Sequence, residues 1–321
     1  ILNAFVVLKA MTIKEQEELA PDLVLTLGAN IVFNSEIKYY LKKNAVSMEN
    51  WQVGPEDKVC DAFSKLTEMF EMNEYFFFEK LINESVKKSE NTYFNLWNQI
   101  SKSIKEPNVE FSQLQAIGKL ISNLPQNSVL QLANSNAIRM GHLFEIDKSI
   151  KCFCNRGVNG IDGCMSTAVG YAAISEKPVF LIIGDLTFFY DMNALWNRHL
   201  TKSLRILLVN NEGGAVMHLP LSAEKGKKLG KFTSAGHQTS AKGWVESIGI
   251  EYMSAYNSDE IDKGIATLIN NDNTGPMLLE VFTKKEDDAS VYKSYMAEIN
   301  RVTIADRAKQ KAGKMIQSIF K

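Results

Sequence analysis

The chain has 321 residues, with 36 Lys and Arg against 37 Asp and Glu and a formal net charge of -1. Hydrophobic residues make up 45% of the chain and charged residues 23%, which excludes a mainly disordered or fibrous protein. Because the charge is balanced, we expect no nucleic-acid partner. The four cysteines include no CxxC pair, which argues against a disulfide framework or structural zinc site and favours a reducing, cytoplasmic environment.

The apolar runs of the chain are too short to cross a membrane. The longest of them, such as residues 179–183, are far below the roughly 20 apolar residues that a membrane helix needs. We therefore expect no membrane span. The first eight residues contain no initiator Met and no basic leading segment, so we interpret them as structure rather than a signal peptide and expect the chain to begin in mid-protein.

The first third of the chain alternates strand and helix patterns. Residues 23–27 are an apolar run typical of a strand, and a helical pattern to about residue 43 and a short strand around 45–48 follow. From 61 to 108 the periodicity is helical, until Lys105-Glu-Pro-Asn interrupts it. We therefore predict a domain boundary near residues 101–110.

The remainder of the chain alternates strand and helix more regularly. Ser112 is a candidate N-cap for a helix that ends near residue 124. The strands that follow are almost continuously apolar, which is typical of a parallel sheet covered by helices on both faces, so we predict an α/β fold with doubly wound parallel sheets. The predicted strands are 128–132, 151–154, 178–183, 205–210, 250–253 and 277–282, and the predicted helices are 162–175, 191–201, 240–248 and 258–271.

Two later stretches depart from this alternation. Residues 218–239 are rich in Gly, Lys and Ser and predict a long loop. The residues from 286 to the end have a charged helical pattern. Neither stretch contributes a strand to the predicted sheet.

Polar residues follow two of the predicted strands. One strand ends in the segment 184–187, Gly-Asp-Leu-Thr, and the next ends just before Asn211 and Gly213. Because the carboxyl ends of neighbouring parallel strands meet at the crevice where such sheets bind ligands, we expect these residues to lie together. Gly184 would let the backbone approach a phosphate, while Asp185, Asn211 and the Gly213 carbonyl offer the oxygen ligands that Mg²⁺ prefers. An Asp N-cap and a polar turn are the alternative interpretation.

Three motifs follow one another along the second half of the chain. They are Asn-Ser-x-x-x-Arg at 134–139, Asn-Arg-Gly-x-x-Gly-Ile-Asp-Gly at 155–163, and the Gly-Asp-Leu segment that begins at 184. Together they resemble the 2-succinyl-5-enolpyruvyl-6-hydroxy-3-cyclohexene-1-carboxylate synthases, thiamine diphosphate enzymes of menaquinone biosynthesis. The resemblance implies a thiamine diphosphate-binding fold. The implied domains are a partial, Rossmann-like middle domain over 1–105 and a C-terminal diphosphate-binding domain over 111–321.

The resemblance also implies a cofactor, a metal and the residues that hold them. Thiamine diphosphate is the implied cofactor, and Mg²⁺, or manganese in its place, is the implied metal. By the same resemblance, Asp185 and Asn211 bind the metal through their side chains and Gly213 through its carbonyl. The implied cofactor-binding residues are Gly184, Asp185, Leu186, Thr187, Asn211, Gly213, Ile161 and Val216. Packing in the protein core is the alternative role for the last two.

Three further residues, Ser135, Arg139 and Arg156, match family positions that hold carboxylated substrates and intermediates. The implied substrates, 2-oxoglutarate and isochorismate, are dianions, and Arg grips a carboxylate through two parallel hydrogen bonds. We therefore interpret these three residues as part of a catalytic site. A solvated charge on a helix face is the alternative for Arg139, and a surface loop charge is the alternative for Arg156.

The implied activity is that of a transferase, which decarboxylates 2-oxoglutarate and adds the resulting succinyl carbanion equivalent to isochorismate. A homodimer or homotetramer in the cytoplasm is expected. The family also needs a pyrimidine-binding domain with an activating Glu; we assign no residue to that role and expect the chain alone to be inactive. Where the family carries Ser-Lys-Arg, residues 33–36 read Phe-Asn-Ser-Glu. The alternatives are another thiamine diphosphate carboligase or decarboxylase, and a non-catalytic α/β binding module.

Overall fold

The computed structural model describes residues 3–28, 35–43, 47–55, 58–84, 92–219, 223–302 and 306. The chain divides into two compact units, one of Ile1–Lys105 with Glu298–Lys321 and the other of Glu106–Ala297. The residues from Glu298 therefore group with the first unit, whereas the sequence assigned them to the second domain. Among the described residues of this segment, Arg301 N donates a hydrogen bond to Lys9 O at 3.1 Å, a contact within the first unit.

The first unit is built on a three-stranded parallel sheet in the order β1-β2-β3. Met11, Phe63 and Trp97 belong to its buried core. The strands are β1 (Leu23–Leu27), β2 (Glu49–Gly54) and β3 (Leu66–Glu71), and the helices are α1 (Ala4–Ala10), α2 (Ile13–Glu18), α3 (Ser35–Lys43), α4 (Glu74–Glu84) and α5 (Thr92–Ser103).

The predictions for this unit are confirmed in part. Strand β1 lies where the sequence predicts it, but the strand expected at 45–48 begins later, at Glu49. The helical prediction for 61–108 is wrong over β3, whose sequence does not alternate apolar and polar residues; its parallel pairing with β2 makes it a strand. Residues 33, 34, 45 and 46, on which two of the predictions fall, lie outside the described residues.

The second unit is a six-stranded parallel sheet in the order β5-β4-β6-β7-β9-β8, which confirms the α/β fold class. The strands are β4 (Val129–Leu132), β5 (Lys151–Cys154), β6 (Val179–Gly184), β7 (Leu204–Asn210), β8 (Glu251–Ala255) and β9 (Met277–Phe282). The helices are α6 (Gln113–Ser122), α7 (Asn136–Gly141), α8 (Cys164–Ile174), α9 (Asp185–Asp191), α10 (Ala223–Thr233), α11 (Lys242–Ser247), α12 (Ser258–Leu268) and α13 (Lys285–Ile299).

The strand predictions for this unit are confirmed to within a few residues. Every residue of β7 is buried, as a strand covered on both faces requires. Ser112 caps α6, because its Oγ accepts a hydrogen bond from Gln115 N at 3.3 Å. Since β4 lies between β5 and β6 although β5 follows it directly in the chain, the strand order reverses at β4, and the gap between β4 and β6 is the place where such a sheet binds ligands.

Two helices differ from their predictions. The helix expected at 191–201 begins earlier, as α9 directly after Gly184, and continues as a 3₁₀ turn over Met192–Leu195. The expected loop 218–239 contains α10, because its Lys, Leu and Ala residues favour a helix more than its glycines oppose one. Residues 220–222 and most of those after 302 lie outside the described part. Within the described part, no helix is long and apolar enough to cross a membrane.

Candidate functional site

A cavity of about 140 Å³ opens at the carboxyl edge of the six-stranded sheet, at the reversal between β4 and β6. Its wall includes residues that follow β4, β5, β6 and β7, together with Gln113 and Ile117 of α6. The predicted site residues that line it are Ser135, Ile161, Gly184, Asp185, Leu186, Thr187, Asn211, Gly213 and Val216. The fold therefore brings together residues that the sequence separates by up to 81 positions.

Among the described residues that line this cavity, Asp185 is the only one with an acidic side chain. It is only 3% exposed, and its two oxygens accept hydrogen bonds from three backbone N–H groups: Leu186 N at 2.6 Å, Asn211 N at 3.1 Å and Gly213 N at 2.8 Å. Burial raises the pKa of the carboxyl, and the N–H groups of Gly213 and Leu186 oppose that rise. A cation beside Asp185 would favour its ionised form.

His237 also lies against Asp185, which sequence reasoning did not anticipate. Its Nε2 is 3.2 Å from Asp185 Oδ2, though not aligned for a hydrogen bond, and its ring meets Phe189 edge to face at 5.3 Å. His218 is buried against Ser234, with 2.9 Å between Nε2 and Oγ. No spacing in the sequence pairs residue 237 with residue 185.

The side-chain amide of Asn211 contacts side chains of two helices, Gln113 of α6 and Asp288 of α13. Its Nδ2 donates a hydrogen bond to Asp288 Oδ2 at 3.0 Å and approaches Gln113 Oε1 at 3.4 Å. Burial raises the pKa of Asp288 to about 6. Since the amide nitrogen of Asn211 faces Asp288, its oxygen is the atom left for a cation.

Gly213 has a backbone conformation that requires glycine. Its φ is +137°, and a Cβ at this position would lie 2.5 Å from Ser234 O. The loop after β7 therefore passes close to the residues that follow α10, which brings the Gly213 backbone to the cavity.

Ser135 has a strained backbone at the start of α7. Its φ is +74° and its ψ is -126°, a combination that non-glycine residues rarely adopt and that costs about 1–3 kcal/mol. Its side chain makes no capping hydrogen bond to the helix. Ser135 lines the cavity, and its hydroxyl is not used to cap α7.

Arg139 and Arg156 do not line the cavity, but they lie near one another. Arg139 is exposed on α7, and Arg156 is half-buried in the loop after β5. The pKa of Arg156 is lowered by burial and by the positive charge of Arg139. Arg156 Nη1 donates a hydrogen bond to Asn134 Oδ1 at 2.5 Å, and Asn134 lines the cavity. Two guanidinium groups that repel one another provide a suitable place for a dianion.

Asn134 is a functional candidate that sequence reasoning missed, although it begins the first motif. Besides accepting from Arg156, it donates from Nδ2 to Gly160 O at 2.8 Å. It therefore links β4 to the loop that carries Arg156. Only the side-chain contacts reveal this role, because an Asn after a strand is ordinary turn chemistry.

The oxygen atoms at the cavity fit a magnesium ion bound with a phosphate group. Among the described residues no three His, Cys, Asp or Glu side chains gather into a metal cluster. One carboxylate, one amide oxygen and one carbonyl remain, from Asp185, Asn211 and Gly213. Mg²⁺ is commonly bound by one or two protein carboxylates together with ligand phosphates, so this sparse set is adequate.

Residues 136–281 match the family of thiamine pyrophosphate enzymes, over the C-terminal TPP binding domain. The matched segment includes the ends of β6 and β7, with Asp185 and Asn211. It is also similar to proteins named 2-succinyl-5-enolpyruvyl-6-hydroxy-3-cyclohexene-1-carboxylate synthase, which confirms the resemblance inferred from the three motifs.

Three of these synthases illustrate the similarity. The chain is 41% identical over 288 residues to that of Phocaeicola vulgatus, covering 89% of this chain and 51% of the relative. It is 38% identical over 305 residues to that of Bacteroides thetaiotaomicron, covering 94% and 54%. It is 34% identical over 289 residues to that of Flavobacterium johnsoniae, covering 88% and 51%. The chain spans about half the length of the curated relatives it matches.

Gly213→Ala is expected to disrupt the loop after β7 that lines the cavity. The added Cβ meets Ser234 O and the positive φ becomes unfavourable, so we expect a loss of about 1–3 kcal/mol in the free energy of unfolding. Binding of thiamine diphosphate, the cofactor named in the matched family, should fall with it. Denaturant unfolding and calorimetric titration measure the two effects.

Gly236→Ala is the matched control, because its Cβ would lie at an ordinary 3.7 Å from Glu212 O. It should change the free energy of unfolding much less than Gly213→Ala does. Equal effects of the two substitutions would contradict the special role of Gly213.

Proposed function

We propose that the protein is a thiamine diphosphate- and Mg²⁺-dependent transferase of menaquinone biosynthesis, which decarboxylates 2-oxoglutarate and adds the succinyl carbanion equivalent to isochorismate. The observation that carries the proposal is the cavity at the strand reversal, where Asp185 and Asn211 meet, with Arg139 and Arg156 nearby. The names of the similar synthases support the same reaction.

The metal end of the site consists of oxygen ligands held by the sheet. Asp185 and Asn211 would hold Mg²⁺ through side-chain oxygens and Gly213 through its carbonyl, and manganese could replace magnesium with the same ligands. Gly184 leaves open space beside the strand end, since a Cβ there would meet no atom within 4 Å. That space, with Leu186 and Thr187 on the same wall, is available for a diphosphate.

The substrate end of the site is positively charged. Arg139 and Arg156 would bind the carboxylates of the two dianionic substrates, and the Ser135 hydroxyl would orient a bound oxygen. Asn134 keeps Arg156 in place through its hydrogen bond. Holding the reacting groups in one geometry lowers the entropic part of the barrier.

Thiamine diphosphate, when bound, supplies the electron sink that lets CO₂ leave a 2-oxo acid. The residues of this chain position that reaction and keep water away. Ile161 and Val216 present apolar surface to the cavity, which would protect a carbanion equivalent from protonation by solvent. A homodimer or homotetramer in the cytoplasm, with further site residues from a pyrimidine-binding domain, completes the proposal.

The decisive experiment is an assay of the intact protein with thiamine diphosphate, Mg²⁺, 2-oxoglutarate and isochorismate. We expect release of CO₂ and consumption of isochorismate, both dependent on metal and cofactor. Turnover of pyruvate but not 2-oxoglutarate would favour another carboligase or decarboxylase. If the intact protein binds no thiamine diphosphate, a non-catalytic binding module is the better description.

A further inference from the structure

A buried carboxylate accepts a hydrogen bond from the side chain of the proposed metal ligand Asn211. Asp288, in the first turn of α13, has no solvent exposure and is not among the residues that line the cavity. Its Oδ2 accepts hydrogen bonds from Asn211 Nδ2 at 3.0 Å and Thr283 Oγ1 at 2.7 Å, and its Oδ1 accepts from Gln113 N at 2.7 Å. All three donors are neutral groups.

Three carboxamide side chains lie in a row next to this carboxylate. Asn211 Nδ2 and Asn136 Nδ2 both face Gln113 Oε1, at 3.4 Å and 3.3 Å. Each carboxamide could in principle turn by 180° and exchange its donor for its acceptor, so the row by itself has no preferred direction. An ionised carboxylate only accepts hydrogen bonds, and it therefore sets the direction of the whole row.

This orientation of the row leaves two buried polar atoms without a hydrogen-bond partner within the described structure. Gln113 Nε2 and Asn136 Oδ1 are buried and find no hydrogen-bond partner within the described structure. Unsatisfied buried polar atoms are unfavourable, so a strong determinant must hold the row in this orientation. The contact of Asp288 with Asn211 is that determinant.

We propose that Asp288 is a positioning residue for the metal site, which holds the carboxamide of Asn211 with its nitrogen inward and its oxygen free for a divalent cation. The inference rests on the proposed function, because it takes Asn211 as a metal ligand. Asp288 acts through Asn211 and needs no contact with the metal.

The test measures Mn²⁺ affinity by paramagnetic resonance, in the intact protein with thiamine diphosphate present. In Asp288→Asn, the new amide can place an N–H toward Asn211 and turn its nitrogen toward the metal. We expect Mn²⁺ affinity to fall about 10–100-fold, the usual effect of losing a group that orients a metal ligand. Glu280→Gln is the matched control, because Glu280 is an equally buried carboxylate that binds the adjacent Asn210 at 2.7 Å; its Mn²⁺ affinity should stay within about twofold of the wild type.

A double-mutant cycle separates positioning from general damage to the structure. If Asp288 acts through Asn211, Asp288→Asn should cause no further loss of Mn²⁺ affinity once Asn211→Ala has removed the ligand. Equal effects of Asp288→Asn in both backgrounds would overturn the inference. Unchanged Mn²⁺ affinity in Asn211→Ala alone would instead refute the metal site of the proposed function.

An exchange variant keeps the test valid if Asp288→Asn does not fold. Combining Asp288→Asn with Asn211→Asp restores a donor and acceptor pair in the reverse sense. We expect this variant to recover both the folded state and Mn²⁺ binding. Failure to recover either one would contradict the positioning role.

Discussion

Asp185→Ala is expected to abolish Mg²⁺-dependent binding of thiamine diphosphate, with a loss of at least about 100-fold in cofactor affinity. The reason is that Asp185 supplies the carboxylate of the cavity. It also accepts hydrogen bonds from the backbone N–H groups of Asn211 and Gly213, the two residues that provide the other proposed metal ligands. One substitution thus removes a proposed ligand and releases the loop that holds the other two. Calorimetric titration of thiamine diphosphate at saturating Mg²⁺ measures the loss.

Two comparisons make this prediction specific to the metal. Asp191→Asn changes a carboxylate in the same helix that binds Ser166 N at 2.7 Å, outside the cavity wall, and should leave the cofactor affinity unchanged. Removal of the metal by a chelator should weaken binding in the unsubstituted protein to about the level of Asp185→Ala. Unchanged cofactor affinity in Asp185→Ala would remove this residue from the metal site.

Arg156→Ala is expected to weaken the use of the proposed 2-oxo acid substrate while cofactor binding survives. Losing a charge-assisted contact to a carboxylate costs about 1.5–3 kcal/mol, which corresponds to an increase of about 10–150-fold in KM. Arg139→Ala should act in the same direction, because the charge of Arg139 reaches Arg156 and both would face the same anion. Steady-state kinetics give KM, and calorimetric titration gives the cofactor affinity.

Arg156→Lys tests whether geometry or charge alone is needed. Lysine keeps the positive charge but lacks the planar fork, so it should recover only part of the loss. The exposed Arg198 serves as the unrelated control, and Arg198→Ala should leave KM unchanged. Parallel loss of substrate use and cofactor binding in Arg156→Ala would show that the substitution damages the fold or that the role is misassigned.

Much of the second unit could be predicted from local sequence. Strands such as β6 and β7 are almost continuously apolar and form the buried centre of the sheet, where that pattern is required. The first unit was harder, because β3 is a strand through its pairing with β2 and carries no alternating pattern of its own. Helix α10 was missed because Gly and Lys, read as loop residues, are tolerated within a helix.

By itself, the sequence determined the residue types at the ends of β6 and β7 and therefore the candidate ligands, and its three motifs together carried the resemblance to the synthases. Parallel strands bring their carboxyl ends to one edge, so consecutive strands suffice to predict that Asp185 and Asn211 meet. Only the tertiary structure decided how those ligands are held. His237 and Asp288 reach the site from α-helical and loop regions distant in the chain, and their contacts depend on packing that no local pattern encodes.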